Sequence, residues 1–166
     1  MDYIKSVQTP LGMMTMASDG EALTGLWFDG QKHDRAYLSE DVREADVPVF
    51  AECEAWLKEY FSGRDPGFIP EVHLRGTPFQ REVMEIMRSI PYGKTMTYGE
   101  IAAVIAKRQG RKTMSAQAVG GAVGRNPVSL IIPCHRVIGA DGSLTGYAGG
   151  IDKKRSLLEM EGIHLQ

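Results

Sequence analysis

Three short segments near the start of the chain carry strand-like patterns of apolar residues: "DYIKSVQ", "MMTMAS" and "ALTGLWF". "TPLG" and "SDGE" separate them as turns, which predicts a small antiparallel meander. The period then lengthens. In "DVPVFAECEAWLKEYFSG", Val49, Phe50, Cys53, Trp56, Leu57, Tyr60 and Phe61 recur at helical spacing, and Gly63 supplies a stop. Cys53 falls on that stripe and reads as a core thiol, inert by burial. "GRDPGFIPEVHLRG" reads as a linker. The pattern divides the chain into an N-terminal α/β domain, residues 1–72, and a C-terminal domain, residues 73–166.

The second region opens with "TPFQREVMEIMRSIP". Thr77 and Gln80 form a capping-box pair with Pro78 at the first helical position. Phe79, Val83, Ile86, Met87 and Ile90 face inward, and Pro91 ends the helix. "PYGKT" is a turn. "TYGEIAAVIA" repeats the capping logic with Thr97 and Glu100. A basic loop, "KRQGRKTM", leads to "SAQAVGGAVGRN", where Ser115 is a candidate N-cap. Two short helices joined by a loop suggest helix-turn-helix, although the loop exceeds the usual three or four residues. Gly120, Gly121 and Gly124 each cost about 1 kcal/mol relative to alanine inside a helix. A helix bearing that cost presents a smooth face to something close, either a large ligand or another helix.

Charge sharpens the division. Residues 1–71 carry six basic and fourteen acidic residues, a net −8; residues 72–166 carry thirteen and seven, a net +6; together they give −2. Ile101–Ala140 holds six basic residues (Lys107, Arg108, Arg111, Lys112, Arg125, Arg136) and no acidic one. An anionic partner for the second half is one reading, and a solvated basic loop is the other. The apolar runs are too short to span a bilayer. "MDYIKSVQTP" lacks the basic and apolar regions of a signal peptide. The two cysteines do not make a disulfide framework. A reducing, cytoplasmic location is expected, with no membrane association. No zinc-ligand spacing involves Cys53, Cys134 or the four histidines, so no metal is expected.

The chemistry concentrates in "LIIPCHRVIG", Leu130–Gly139. Pro133 cannot continue a central strand, so a ladder would end there and present Cys134 at an edge or pocket. A free thiol near pKa 8.5 is only a few per cent thiolate at pH 7. His135 and Arg136 are candidates for raising that fraction. Neighbours on a strand point to opposite faces, so adjacency alone leaves both a structural thiol and a nucleophile open.

"IPCHRVIG" resembles the active-site signature of the methylated-DNA–protein-cysteine methyltransferases, the O6-alkylguanine-DNA alkyltransferases. "TPFQREVMEIMRSIPYGKTMTYGEIA", "AVGGAVGRNP", "GYAGG" and "LLEMEG" match too, in family order over residues 77–162. The first region resembles the family's N-terminal domain in "TPLGMMTMASDGEALTGLWFDGQ" and "LKEYFSGR". The resemblance implies an α+β fold: a small N-terminal antiparallel sheet with a helix, then a mainly helical, winged helix-turn-helix-like domain carrying the active site.

It implies roles residue by residue. Cys134 matches the alkyl-accepting nucleophile, His135 the histidine that takes its proton through a water, and Glu161 the glutamate that orients that histidine. Asn126 matches the asparagine that braces the turn before the active-site segment. Tyr98 matches the tyrosine that faces the target base and its phosphate. Arg136 takes a bracing role. Contacts to DNA fall at Tyr98, Ser115, Gln117, Gly121, Ala122, Gly124 and Arg125, and the substrate pocket at Ser129, Val137, Tyr147, Ala148 and Gly149. The implied reaction is irreversible, single-turnover transfer of an alkyl group from O6-alkylguanine, and from O4-alkylthymine, to the protein's own cysteine. The nucleotide is flipped out of the duplex and the helix lies in the minor groove. No cofactor is needed, and the protein acts as a monomer. One departure is evident. Members of the family can carry an arginine just before "GNP", filling the gap left by the flipped base. Here that position is Gly124, and the arginine is Arg125. Two other classes bear comparison. Alkyltransferase-like binders lack the cysteine that is present here. Thiol hydrolases and redox enzymes lack a reason for the basic helical region.

Overall fold

The computed structural model describes residues 1–144 and 146–164. The chain forms two compact units. The first comprises Met1–Arg75 with Pro127–Ile131, the second Gly76–Asn126 with the residues from Ile132 onward.

In the first unit, β1 (Asp2–Thr9), β2 (Gly12–Ser18) and β3 (Leu23–Phe28) form the expected meander, antiparallel throughout. Thr9 sets the first turn: its hydroxyl donates to Gly12 O (2.7 Å) and accepts from Leu11 N–H (3.2 Å). Gly12, at φ +121°, completes a turn that other residues rarely adopt. The sheet is mixed, however. A short β4 (Val42–Glu44) pairs parallel with β1, giving the order β3-β2-β1-β4. Its three residues lack any apolar alternation, so nothing in the sequence announced it. Helix α1 (Pro48–Phe61) packs on β1 and β2 through Val49, Phe50, Cys53, Trp56, Leu57 and Tyr60. Cys53 is fully buried, and burial pushes its thiol up to about 12.

The second half of the stretch expected to be a linker is pinned instead, at Glu71, His73 and Arg75. Leu23 N–H donates to Glu71 O and His73 N–H to Leu23 O. The Asp19 carboxylate engages His73 Nδ1 at 2.6 Å. Arg75 grips buried Asp2 with two bonds of 2.7 Å. That bond to Arg75 holds Asp2 down at about 2, against the opposing effect of its burial. Pro127–Ile131 also joins this unit: Leu26 N–H donates to Pro127 O and Ser129 N–H to Leu26 O.

The second unit holds α2 (Pro78–Arg88), β5 (Met96–Thr97), α3 (Tyr98–Arg108), α4 (Ala116–Gly124), β6 (Val137–Ile138) and α5 (Ile151–Met160). Both capping boxes are present. Thr77 pairs with Gln80 and Thr97 with Glu100, each pair exchanging side-chain and backbone bonds. Each satisfies two backbone donors that a helix start otherwise leaves open. Ser115 caps α4 by accepting from Ala118 N–H at 3.1 Å. Short β5 and β6 pair in parallel, Met96 with Val137 and Thr97 with Ile138. That pairing sets the start of α3 beside the segment that carries Cys134.

Candidate active site

The segment before Cys134 is not a strand. Leu130 takes φ +71° at the centre of a three-residue turn closed by Ile131 N–H to Ser129 O. Pro133, at φ −81° and ψ 67°, is the centre of an inverse γ-turn closed by Cys134 N–H to Ile132 O at 2.8 Å. Cys134–Arg136 then forms one turn of 3-10 helix. An apolar run followed by proline reads as a strand end. Here the same residues make two tight turns, and the acceptor of the second, Ile132 O, has another partner. Buried Asn126 donates its Nδ2 to that oxygen at 2.8 Å. The bracing expected of Asn126 therefore has a definite target, the carbonyl that also holds the Cys134 amide.

On the 3-10 turn Cys134, His135 and Arg136 are all buried, with Cys134 6 % exposed and His135 0 %. His135 Nε2 lies 2.6 Å from Glu161 Oε2. The other carboxylate oxygen accepts from Arg136 Nε at 2.8 Å and from Gly93 N–H at 2.9 Å. Arg136 also donates to Ile90 O at 2.7 Å and lies over the Tyr92 ring, 5.7 Å from its centre. The "PYG" turn after α2 thus wraps the carboxylate that terminates α5. Gly93 sits at φ +78°, and a Cβ there would come within 3.4 Å of Glu161 O. Sequence adjacency makes His135 and Arg136 look like two neighbours of one thiol. The structure makes them two donors to one acid.

The electrostatics assign protons. Burial by itself would raise the Glu161 carboxyl. The bonds from His135, Arg136 and Gly93 outweigh it and hold the group down at about 2. Burial lowers the His135 imidazole despite the carboxylate beside it. At neutral pH the pair is therefore a carboxylate and a neutral imidazole. The carboxylate only accepts, so the ring proton resides on Nε2. Nδ1, the nitrogen that Glu161 does not engage, then carries the lone pair of a base.

Tyr98 opens α3 and lies half-buried. Burial first, and the charge of Cys134 second, raise its phenol, which keeps the hydroxyl protonated as a donor at neutral pH. The ring lies against Gly120, where an added Cβ would sit 3.8 Å away. A Cβ on Gly146 would come within 3.0 Å of the Tyr98 hydroxyl. A cavity of about 530 Å³ is lined by Tyr98, Gly99, Ala116, Gln117, Gly120, Ala140 and Gly146. Its small residues come from α3 (Gly99), from α4 (Ala116 and Gly120) and from the stretch before α5 (Ala140 and Gly146).

Of the residues expected to touch DNA, Ser115, Gln117, Gly121 and Arg125 are exposed and Gly124 partly so. Ala122 is not: it is 4 % exposed and belongs, with Val119 and Val123, to the inward stripe of α4. Among the expected pocket residues, Ser129 and Val137 are buried, and Tyr147, Ala148 and Gly149 are partly exposed; none of the five lines the cavity at Tyr98.

Lys154 escaped the sequence reading. It is fully buried on α5, donates its ammonium to Val137 O, and lies 5.8 Å from the centre of the Tyr98 ring. Burial lowers it to about 8, while the charge of Cys134 acts to raise it. The signal was present: Lys154, Leu157 and Leu158 form an i, i+3, i+4 stripe, and a lysine on such a stripe is rarely buried without purpose.

Comparison with known proteins decides the family. Residues 78–163 match the 6-O-methylguanine DNA methyltransferase, DNA binding domain, and residues 3–69 match the 6-O-methylguanine DNA methyltransferase, ribonuclease-like domain. The chain belongs to the 6-O-methylguanine DNA methyltransferase family. It is 42 % identical to the methylated-DNA–protein-cysteine methyltransferase of Mycobacterium tuberculosis, over 97 % of this chain and 93 % of that protein. It is 39 % identical to that of Haemophilus influenzae, over 97 % and 87 %. The crystal structure of Mycobacterium tuberculosis OGT in complex with DNA superposes with a TM-score of 0.82, at 42 % identity, over 96 % of this chain and 92 % of that one. An O6-methylguanine DNA methyltransferase from Methanococcus jannaschii gives 0.64 at 31 % identity, over 98 % and 95 %. The methyltransferase fold, an N-terminal sheet unit and a helical C-terminal unit, is thus shared over nearly the whole length.

Proposed function

We propose that this member of the family repairs DNA directly, moving the alkyl group of O6-alkylguanine onto its own Cys134. The observation that carries the reading is the acid–imidazole pair beside the thiol: a carboxylate held ionised by three donors, and a neutral histidine whose second nitrogen is basic. His135 takes the Cys134 proton through a water. The thiolate attacks the alkyl carbon in line, a C–S bond forms, and the C–O bond breaks with its electron pair going to O6 of guanine. The base gains a proton from the Tyr98 hydroxyl as it leaves, and the proton taken up by His135 restores the phenol through solvent. The net exchange is one thiol proton for one alkyl group. The thioether is not undone by thiol exchange, so each molecule reacts once.

Lys154 adds a positive charge that favours the thiolate form of Cys134. The electrostatic interaction between the two groups supports that role. Duplex DNA stacks the target atom out of reach, so the reading includes flipping of the nucleotide, with α4 entering the minor groove on its small-residue face. The exposed glycine at position 121 and the partly exposed Gly120 and Gly124 support close approach of a nucleic-acid backbone. O4-alkylthymine presents the same alkyl–oxygen bond and is included as a substrate, and the protein acts as a monomer in the cytoplasm. The test is the intact mass of the protein after mixing with a duplex containing O6-methylguanine. Transfer adds one methyl group, located on the peptide containing Cys134. An unchanged mass at full binding would make the protein a lesion binder only, and multiple turnovers with unchanged mass would make it a hydrolase.

A further inference from the structure

Four cations cluster between α3 and α4, away from the residues that surround Cys134. Helix α3 ends in Lys107 and Arg108, and Gln109 caps it. Gly110 then adopts φ +65°. Its N–H donates to Lys107 O at 3.3 Å, and the next N–H, of Arg111, reaches back to Ala106 O at 2.8 Å. This pair of bonds is a Schellman motif, which folds the chain back over the last turn of its helix. The consequence is that Arg111 and Lys112 return beside Lys107. The three line one cavity of about 480 Å³ floored by Gly99, Ala102, Ala103 and Ala106, with Thr113 also in its wall.

The cavity carries uncompensated positive charge. Among the described residues no carboxylate lines it. Among the described residues Lys107, Arg111 and Lys112 make no ion pair. Glu100, the acid on α3, turns its carboxylate to Thr97 N–H in the capping box. All three cations are exposed, and the alanine–glycine floor lets a ligand approach the helix backbone closely. That floor offers no deep apolar pocket in which a peptide could anchor. Gly99 and Ala116 also line the cavity at Tyr98, so the two hollows adjoin.

We propose that Lys107, Arg111 and Lys112 form a phosphate clamp, which holds the backbone of duplex DNA beside the cavity at Tyr98. The inference rests on duplex DNA being the substrate. The clamp supplies sequence-independent affinity and leaves the chemistry to Cys134. The Schellman turn fixes the backbone from which Arg111 and Lys112 project, so the three side chains share one side of α3 before DNA arrives.

The test is the salt dependence of binding to an unmodified duplex. Each phosphate neutralised contributes about 0.9 to the slope of log K against log salt. Arg111→Gln combined with Lys112→Gln is expected to lower the slope by about 1.8, which is roughly 60-fold in affinity at 0.1 M salt when the curves meet at 1 M. Lys107→Gln alone is expected to lower it by about 0.9. The rate of transfer from free O6-methylguanine base, which needs no backbone contact, stays at the wild-type value and reports an intact site. Wild-type slopes in both variants would overturn the clamp. A wild-type protein that neither binds duplex nor gains a methyl group would overturn the substrate reading, and the clamp with it.

Discussion

Replacing Glu161 with glutamine tests the proton assignment at its centre. Three donors converge on the two carboxylate oxygens: His135 Nε2–H on one, Arg136 Nε and Gly93 N–H on the other. Glutamine offers one oxygen and one NH₂ group, so one side must face a donor with a donor. Turning the NH₂ toward Arg136 and Gly93 strands two donors, one of them a buried guanidinium. Turning it toward His135 strands none, because the imidazole can move its proton to Nδ1 and accept at Nε2. The second arrangement wins, and it removes the base. Positioned proton acceptors contribute on the order of 10²–10⁴-fold in rate, or roughly 3–5 kcal/mol of barrier. The single-turnover rate of methyl transfer from an O6-methylguanine duplex at pH 7 is expected to fall by that factor. It should then climb about tenfold per pH unit as hydroxide replaces the lost base, until the thiol is ionised. Binding to unmodified duplex serves as the control for folding. His135→Ala should lose a similar factor while Arg136 keeps its acid, and Glu161→Gln added to it should cost little more, since both act through one proton. A wild-type rate for Glu161→Gln at pH 7, or full additivity in the double variant, would refute the assignment.

The other expectations follow from the same geometry. Cys134→Ser should abolish transfer and keep duplex binding, because a serine hydroxyl is un-ionised at pH 7; Cys53→Ser should transfer normally with stability lowered by about 1–3 kcal/mol for its buried hydroxyl, as read by urea unfolding. Arg125→Ala, if that exposed residue fills the stack in place of the arginine missing at Gly124, should slow transfer on duplex at saturating protein and spare the free base; an unchanged duplex rate with uniformly weaker binding would make it a phosphate contact. Stability should decline on acidification in two stages. His135, depressed by burial, contributes stability that is full above pH 6.5 and lost as pH falls below it; Glu161, held at about 2 against an ordinary 4.5, contributes on the order of 3 kcal/mol above 4.5 that is lost as pH falls toward 2. Urea midpoints that stay level from pH 7 to pH 5 would contradict the first sign, and midpoints that stay level from pH 4.5 to pH 2 the second.

Local rules made much of the chain legible from sequence. The three β-strands, the helix stripe with Cys53, the two capping boxes and the Ser115 cap each depend on residues a few positions apart, and all are present. The family motifs named Cys134, His135 and Glu161 together, although no local rule joins residues 134 and 161. Tertiary structure decided what lies between them. It put Arg136 and Gly93 on the same carboxylate as His135, which keeps that acid ionised in a buried place. It converted an apolar run into two tight turns, the second braced by Asn126 on Ile132 O from six residues away. It added β4, whose partner on β1 lies about forty residues earlier. It buried Lys154 against Val137 O and the Tyr98 ring, and it turned Ala122 inward. Proton positions at a site depend on which groups converge from distant segments, and chain order does not encode that convergence through any local pattern.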